Sequence, residues 1–174
     1  MAMKDKNRGF ALLVAVIFMT VMLSFGLTLG SLGYKQQVLS STAVSSQYAF
    51  YAADAALECV LLADQDSRDK FFERPDGPRS PARLMTCDGS PAHYPPEYPN
   101  DGIVSDTASL WAVAERLELD GGAHCVDVSV YKYTSPQGPG NFTTYLFAQG
   151  YNVPCDKVEA REGRFSSRGL QAHY

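Results

Sequence analysis

Hydrophobic and polar positions divide the 174-residue chain unevenly. From Phe10 to Tyr34 run 25 consecutive residues without a charge, more than the roughly 20 a helix needs to cross a bilayer. A cleavable secretory signal has an apolar stretch of roughly 7 to 15 residues closed by small residues. Here the run continues through Leu27-Thr28-Leu29-Gly30-Ser31-Leu32, which describes an anchor. Beyond it, Tyr34, Val38, Val44, Tyr48, Tyr51, Ala55, Cys59 and Leu62 recur at spacings of three, four or near multiples, as one apolar stripe of a helix requires. No proline intervenes, so the pattern predicts one helix from about Ala11 to Ala63, roughly 80 Å long at the standard rise. Its outer half is amphipathic and needs a partner surface to be stable in water.

The partner is predicted downstream. Cys125 to Tyr133 alternates apolar and polar residues in its centre, the period of a half-buried strand. Thr143 to Tyr151 forms the next strand, and the intervening Ser135-Pro136-Gln137-Gly138-Pro139-Gly140-Asn141 is dense in turn formers, which makes the pair a hairpin. A third strand is expected within Gly163 to Tyr174. Pro75 to Gly102 is too rich in Pro, Gly and Asp for regular elements, and Thr107 to Leu117 reads as a short helix with Thr107 near its N-cap. The fold class is therefore α+β: a long N-terminal helix, half membrane-spanning and half amphipathic, packed on an antiparallel sheet, in one domain.

Charge sets the orientation. Lys4, Lys6 and Arg8 precede the apolar run, offset by Asp5, whereas Lys35 alone follows closely. The N-terminus is therefore cytoplasmic and the rest of the chain lies outside. The net charge is −4, with the acidic excess beyond residue 34, which leaves no basic face for a phosphate backbone; nucleic acid is not an expected partner. Outside the cytoplasm Cys59, Cys87, Cys125 and Cys155 are expected to oxidise into two disulfides, with three connectivities on counting alone. If the hairpin turns near Gly138, Cys125 lies opposite residue 152 or 153 and Cys155 is within reach, leaving Cys59 with Cys87. A four-thiolate zinc site is the alternative, but no C-x-x-C pair is present.

The remaining chemistry is sparse. His93, His124 and His173 are scattered and read as surface residues, and no catalytic or nucleotide-binding signature is found. No catalytic residue, metal or cofactor is expected. Asp54 and Glu58, at i and i+4, read as a solvated or capping face. Gly26 and Gly30 form a small-xxx-small spacing, with Gly33 one turn later, that would let neighbouring helices approach closely; the stronger reading is that glycine is simply common in membrane helices. Asn141-Phe142-Thr143 matches a glycosylation sequon and equally a short turn motif. His93-Tyr94-Pro95-Pro96-Glu97-Tyr98-Pro99 is either an exposed partner-binding loop or a solvated linker.

Lys6-Asn7-Arg8-Gly9-Phe10-Ala11-Leu12-Leu13-Val14 resembles the type IV prepilin signal: a short charged leader, glycine, phenylalanine, then an apolar helix. Gln47-Tyr48-Ala49-Phe50-Tyr51-Ala52-Ala53-Asp54-Ala55-Ala56-Leu57-Glu58 resembles the alanine-rich "AFYAAEAGLE" segment of PilX-like minor pilins, from which Asp54 and Ala56 depart. The likeness covers roughly the first 60 residues and, more weakly, the C-terminal strand. It implies cleavage between Gly9 and Phe10 by a prepilin peptidase, with methylation of the new N-terminus. Residues 1–9 are then a leader, 10–34 the membrane and later filament-core helix, and 35–174 the extracytoplasmic head.

Most pilins carry glutamate at the fifth mature position, where this chain has Val14. That departure points away from the major pilin and toward minor pilins and the tip pseudopilin of type II secretion. The resemblance thus implies a structural minor subunit of a type IV pilus-like filament, at the tip or in assembly initiation, and not an enzyme. Phe10, Leu13, Val14, Ile17, Gly26 and Gly30 would hold it first in the inner membrane and then in the filament core. Its partners would be other pilin subunits, bundled helix to helix, and the inner-membrane assembly machinery. A secretion pseudopilin, and a bitopic membrane protein with an extracytoplasmic binding domain, remain alternatives. Adhesion, motility, DNA uptake and secretion are not separated by these residues.

Overall fold

A computed structural model describes residues 8–65, 72, 82–134 and 142–174. The chain divides into two compact units, Met1–Ala43 and Val44–Tyr174, and one helix, α1 (Arg8–Gln65), contributes to both. The expected leader residues 1–7, the turn Ser135–Asn141 with the Asn141 sequon, and 75–81 of the Pro-rich stretch lie outside the described residues.

The described part of the first unit is helical throughout, and its large apolar side chains face outward. The most apolar 18-residue window of α1 has a mean hydropathy of 2.6, so the helix is long and apolar enough to cross a membrane. Its hydroxyls do not spoil that surface. Thr20 donates to the carbonyl of Ile17, Ser24 to Thr20, Thr28 to Ser24 and Phe25, and Ser31 to Thr28, at 2.8–3.0 Å. These four side chains thus satisfy their polar hydrogens within the helix, as a lipid environment demands.

The second unit holds the rest of α1 and a five-stranded antiparallel meander, in the order β3 (Ile103–Asp106), β4 (Leu110–Leu119), β5 (His124–Thr134), β6 (Phe142–Tyr151) and β7 (Ser167–His173). A two-residue hairpin, β1 (Thr86–Cys87) and β2 (Ser90–Pro91), and a short helix, α2 (Cys155–Ala160), complete it. The helix packs against the sheet in an α+β arrangement, with the expected strands at β5, β6 and β7. Trp111, Val113, Leu117, Leu119, Val126, Val128, Val130, Leu146 and Ala148 fill the core beneath α1.

The packing face of α1 differs from the expected stripe. Ala49, Ala52, Ala53, Ala56 and Val60 are buried, whereas Tyr48, Tyr51, Ala55 and Leu62 are exposed, Tyr51 to 63% and Leu62 to 71%. Size decides the face. A Cβ on Gly150 of β6 would come within 2.6 Å of the Ala53 amide nitrogen and 3.1 Å of its Cα. Backbone rides on backbone at this point, and only small side chains on both elements permit it.

Two further expectations are corrected. Thr107 to Leu117 is not a helix but the β3–β4 turn and most of β4. Its alternation was hidden because the outer face of β4 is covered too: Ala112, Ala114 and Arg116 are buried along with Trp111, Val113, Glu115 and Leu117. Thr107 performs capping chemistry in a turn instead, its Oγ1 accepting the Leu110 N–H at 3.1 Å while its own N–H donates to the Leu110 carbonyl at 2.9 Å. The Pro-rich stretch to Gly102 is also not wholly irregular. Asp88 and Gly89, at φ 52° and 73°, turn the β1–β2 hairpin, the aspartate–glycine pairing that a tight two-residue turn favours.

Candidate functional site

The two disulfides join Cys59 to Cys87 and Cys125 to Cys155, with Cα separations of 6.2 and 4.7 Å. The first ties α1 to the β1–β2 hairpin. The second closes the base of the β5–β6 pair: Cys125 sits opposite Tyr151, one register step from the expected residue 152, and its N–H reaches the Val153 carbonyl at 2.9 Å. All four cysteines lie in these bridges.

Around them, charged side chains are matched inside the fold. Arg116, buried on the outer face of β4, forms a two-pronged pair with Asp127 at 2.6 and 2.9 Å and reaches Glu159 of α2 at 3.0 Å. Tyr151 donates to the same Asp127 at 3.2 Å, and burial with the nearby Asp127 charge pushes its phenol up to about 12. Near the outer end of α1, Asp64 pairs with Lys132 of β5 at 2.5 Å and accepts from the Tyr174 hydroxyl. These networks fasten α1, β4, β5 and α2 to one another. Glu115 stands apart. It faces the core, fully buried; one oxygen accepts the Met85 N–H at 3.2 Å and the other has no partner among the described residues. Burial pushes its carboxyl up to about 7, partly opposed by the Met85 hydrogen bond.

Two concave surfaces among the described residues are lined by tyrosines. One is a groove of about 580 Å³ along the exposed side of α1, lined by Tyr48, Tyr51, Ala55, Leu119 and His124 with Asp88 and Asp120 at its edge. Tyr48 stacks on His124 at a 5.6 Å ring separation, and His124 Nε2 lies 3.9 Å from Asp120. Asp120 is itself held by its N–H bond to Asp88 at 2.7 Å. His124 is therefore half-buried rather than the surface residue expected, as is His93, whose backbone pairs with Arg116. His173 is exposed and stacks on Tyr145. The second surface, about 690 Å³, lies on the outer sheet face among Tyr131, Tyr133, Tyr145 and Phe147, whose rings meet edge to face.

The anchor residues show one common feature, exposure. Phe10, Leu13, Val14 and Ile17 all face outward, and nothing lies within 4 Å of where a Cβ would stand on Gly26, Gly30 or Gly33. Gly9 and Phe10 lie in the first turn of α1. The His93–Pro99 loop is partly tied down: Pro95 is buried and the Tyr94 hydroxyl donates to the Ala82 carbonyl at 2.7 Å. Asp54 and Glu58 are exposed, as expected.

The contact of Gly150 with Ala49 and Ala53 was missed, although a lone glycine within an apolar strand downstream of an alanine-rich helix is a legible signal for it. The Arg116–Asp127 pair had no such signal, because cross-strand register is invisible before the β4–β5 turn is known. Among the described residues no group of three or more His, Cys, Asp or Glu is placed to hold a metal. The chain matches no family profile, no curated protein and no solved structure.

Proposed function

We propose that the chain is a structural minor subunit of a type IV pilus-like filament, inserted first in the inner membrane and clipped by a prepilin peptidase between Gly9 and Phe10. The observation that carries this reading is the division of α1 by side-chain size. Small residues of its outer part pack on the sheet, and its large apolar residues are left outward. A membrane accounts for outward apolar groups in the first unit, but not for Tyr48, Tyr51 and Leu62, which belong to the head. Neighbouring helices in a bundle would cover both sets. The hydrophilic leader must then be removed, because charges cannot follow the helix through hydrocarbon.

Val14, in place of the glutamate most pilins carry, supports a minor role at the tip or in initiation, since a subunit with none ahead of it has no amine to neutralise. The test is recovery of the chain in filaments sheared from the cell surface. Loss of that recovery, with the protein retained in the membrane, when the assembly machinery is deleted supports the reading. Retention in the membrane under all conditions contradicts it and favours a bitopic protein with a binding head.

A further inference from the structure

The exposed arc of α1 in the head has a distinctive order. Asp54 and Glu58, one turn apart, border Tyr51 and Leu62, beyond which lies the groove with Tyr48, Ala55, Leu119 and His124. Asp88 and Asp120 belong to the groove's own lining, so acidic groups stand both in it and on the neighbouring helix surface at Asp54 and Glu58. Among the described residues neither Asp54 nor Glu58 has an intramolecular partner. An occupant should therefore be an apolar helix face carrying a positive charge.

The chain carries one such face. Lys35 is the single cation between Phe10 and Gln65, and Leu32, Val38 and Leu39, within one turn of it, are all exposed. Asp54 and Glu58 follow Lys35 by 19 and 23 residues. Two parallel copies in register would set Lys35 against Lys35 and Asp54 against Asp54, a like-charge arrangement that is disfavoured. Sliding one copy by 19 to 23 residues removes both repulsions and sets one copy's Lys35 against the other's Asp54 and Glu58.

We infer that the groove beside Tyr48 and Tyr51 seats the Leu32–Leu39 segment of a second copy of this chain, with that copy's Lys35 against Asp54 and Glu58. The inference rests on the filament reading and deepens it by naming the partner and the stagger. The contact is heterologous, using different surfaces on the two copies, so it can set two copies one behind the other in an initiating assembly.

The test is disulfide trapping in filaments sheared from cells that co-express a Lys35→Cys copy and a Glu58→Cys copy in place of the native chain, with linked peptides identified by mass. A 35–58 link, with 35–35 links absent, is expected. In a separate set without added cysteines, Lys35→Glu should lower the chain's recovery in filaments roughly three- to fivefold, a surface-pair effect. Glu58→Lys combined with Asp54→Lys should restore it. Links at 35–35, links from position 35 to another subunit only, or filaments that contain the chain without any 35–58 link overturn the register while leaving the filament reading intact. If no filament contains the chain, both fall.

Discussion

Glu115 is the residue whose chemistry is least at ease with its surroundings. Its folded-state carboxyl holds a proton up to about pH 7, against 4.5 for the ordinary side chain. The folded head therefore binds more protons than the unfolded chain between those values. Its stability is fullest below about pH 4.5 as far as this group is concerned, falls as pH rises through 7, and is level above that. Glu115→Gln keeps an acceptor for the Met85 N–H and removes the charge. Thermal midpoints of the two proteins should diverge from pH 5 to 8, the variant becoming the more stable by up to about 3 kcal/mol. Parallel curves across that range would contradict the assignment. Gly150 makes the opposite kind of demand, for space. Gly150→Ala brings a methyl group against the Ala49–Ala53 backbone, which cannot rotate away as a side chain could. A loss of about 1–3 kcal/mol in a denaturant melt is expected, whereas Gly169→Ala on β7, whose nearest neighbour would be 3.9 Å away, should cost far less.

At the scale of elements, the long helix was legible from its uncharged run and lack of proline, β5 from its alternation, β6 from the turn formers before it and β7 from a proline-free C-terminal segment. The 25-residue uncharged run is apolar all round, as a helix able to cross a membrane requires, whereas the alternation after Cys125 reflects one more deeply buried face. β4 was not legible, since covering on both faces erases the alternation that distinguishes strand from helix. β3 and α2, at four and six residues, were too short to show any period. The direction α1 faces was misread for a different reason. Hydrophobicity marks what avoids water, not which neighbour covers it, and here the larger residues are turned away from the sheet. Cysteine pairing was legible from hairpin geometry alone. Its energetic consequence is testable: Cys125→Ser with Cys155→Ser should destabilise the head by about 2–4 kcal/mol. It should also raise amide exchange in α2, which depends on that bridge and on the Arg116–Glu159 pair. Unchanged exchange in α2 would show that the ion pair alone holds it.

At the scale of the whole molecule, α1 runs on from a membrane-competent stretch into a disulfide-bridged head, and on the filament reading proposed above the outward apolar residues of both units are surfaces for other subunits. That reading depends on the fate of the first nine residues, because a charged leader left in place would bar the helix from a bundle. The most direct measurement is intact mass and N-terminal peptide analysis of the protein expressed with and without a prepilin peptidase. The account predicts a product that begins at Phe10 with a methylated amine when the peptidase is present, and an uncleaved chain when it is absent. A chain that keeps its leader in both cases would contradict it and leave a signal-anchored protein with an extracytoplasmic head.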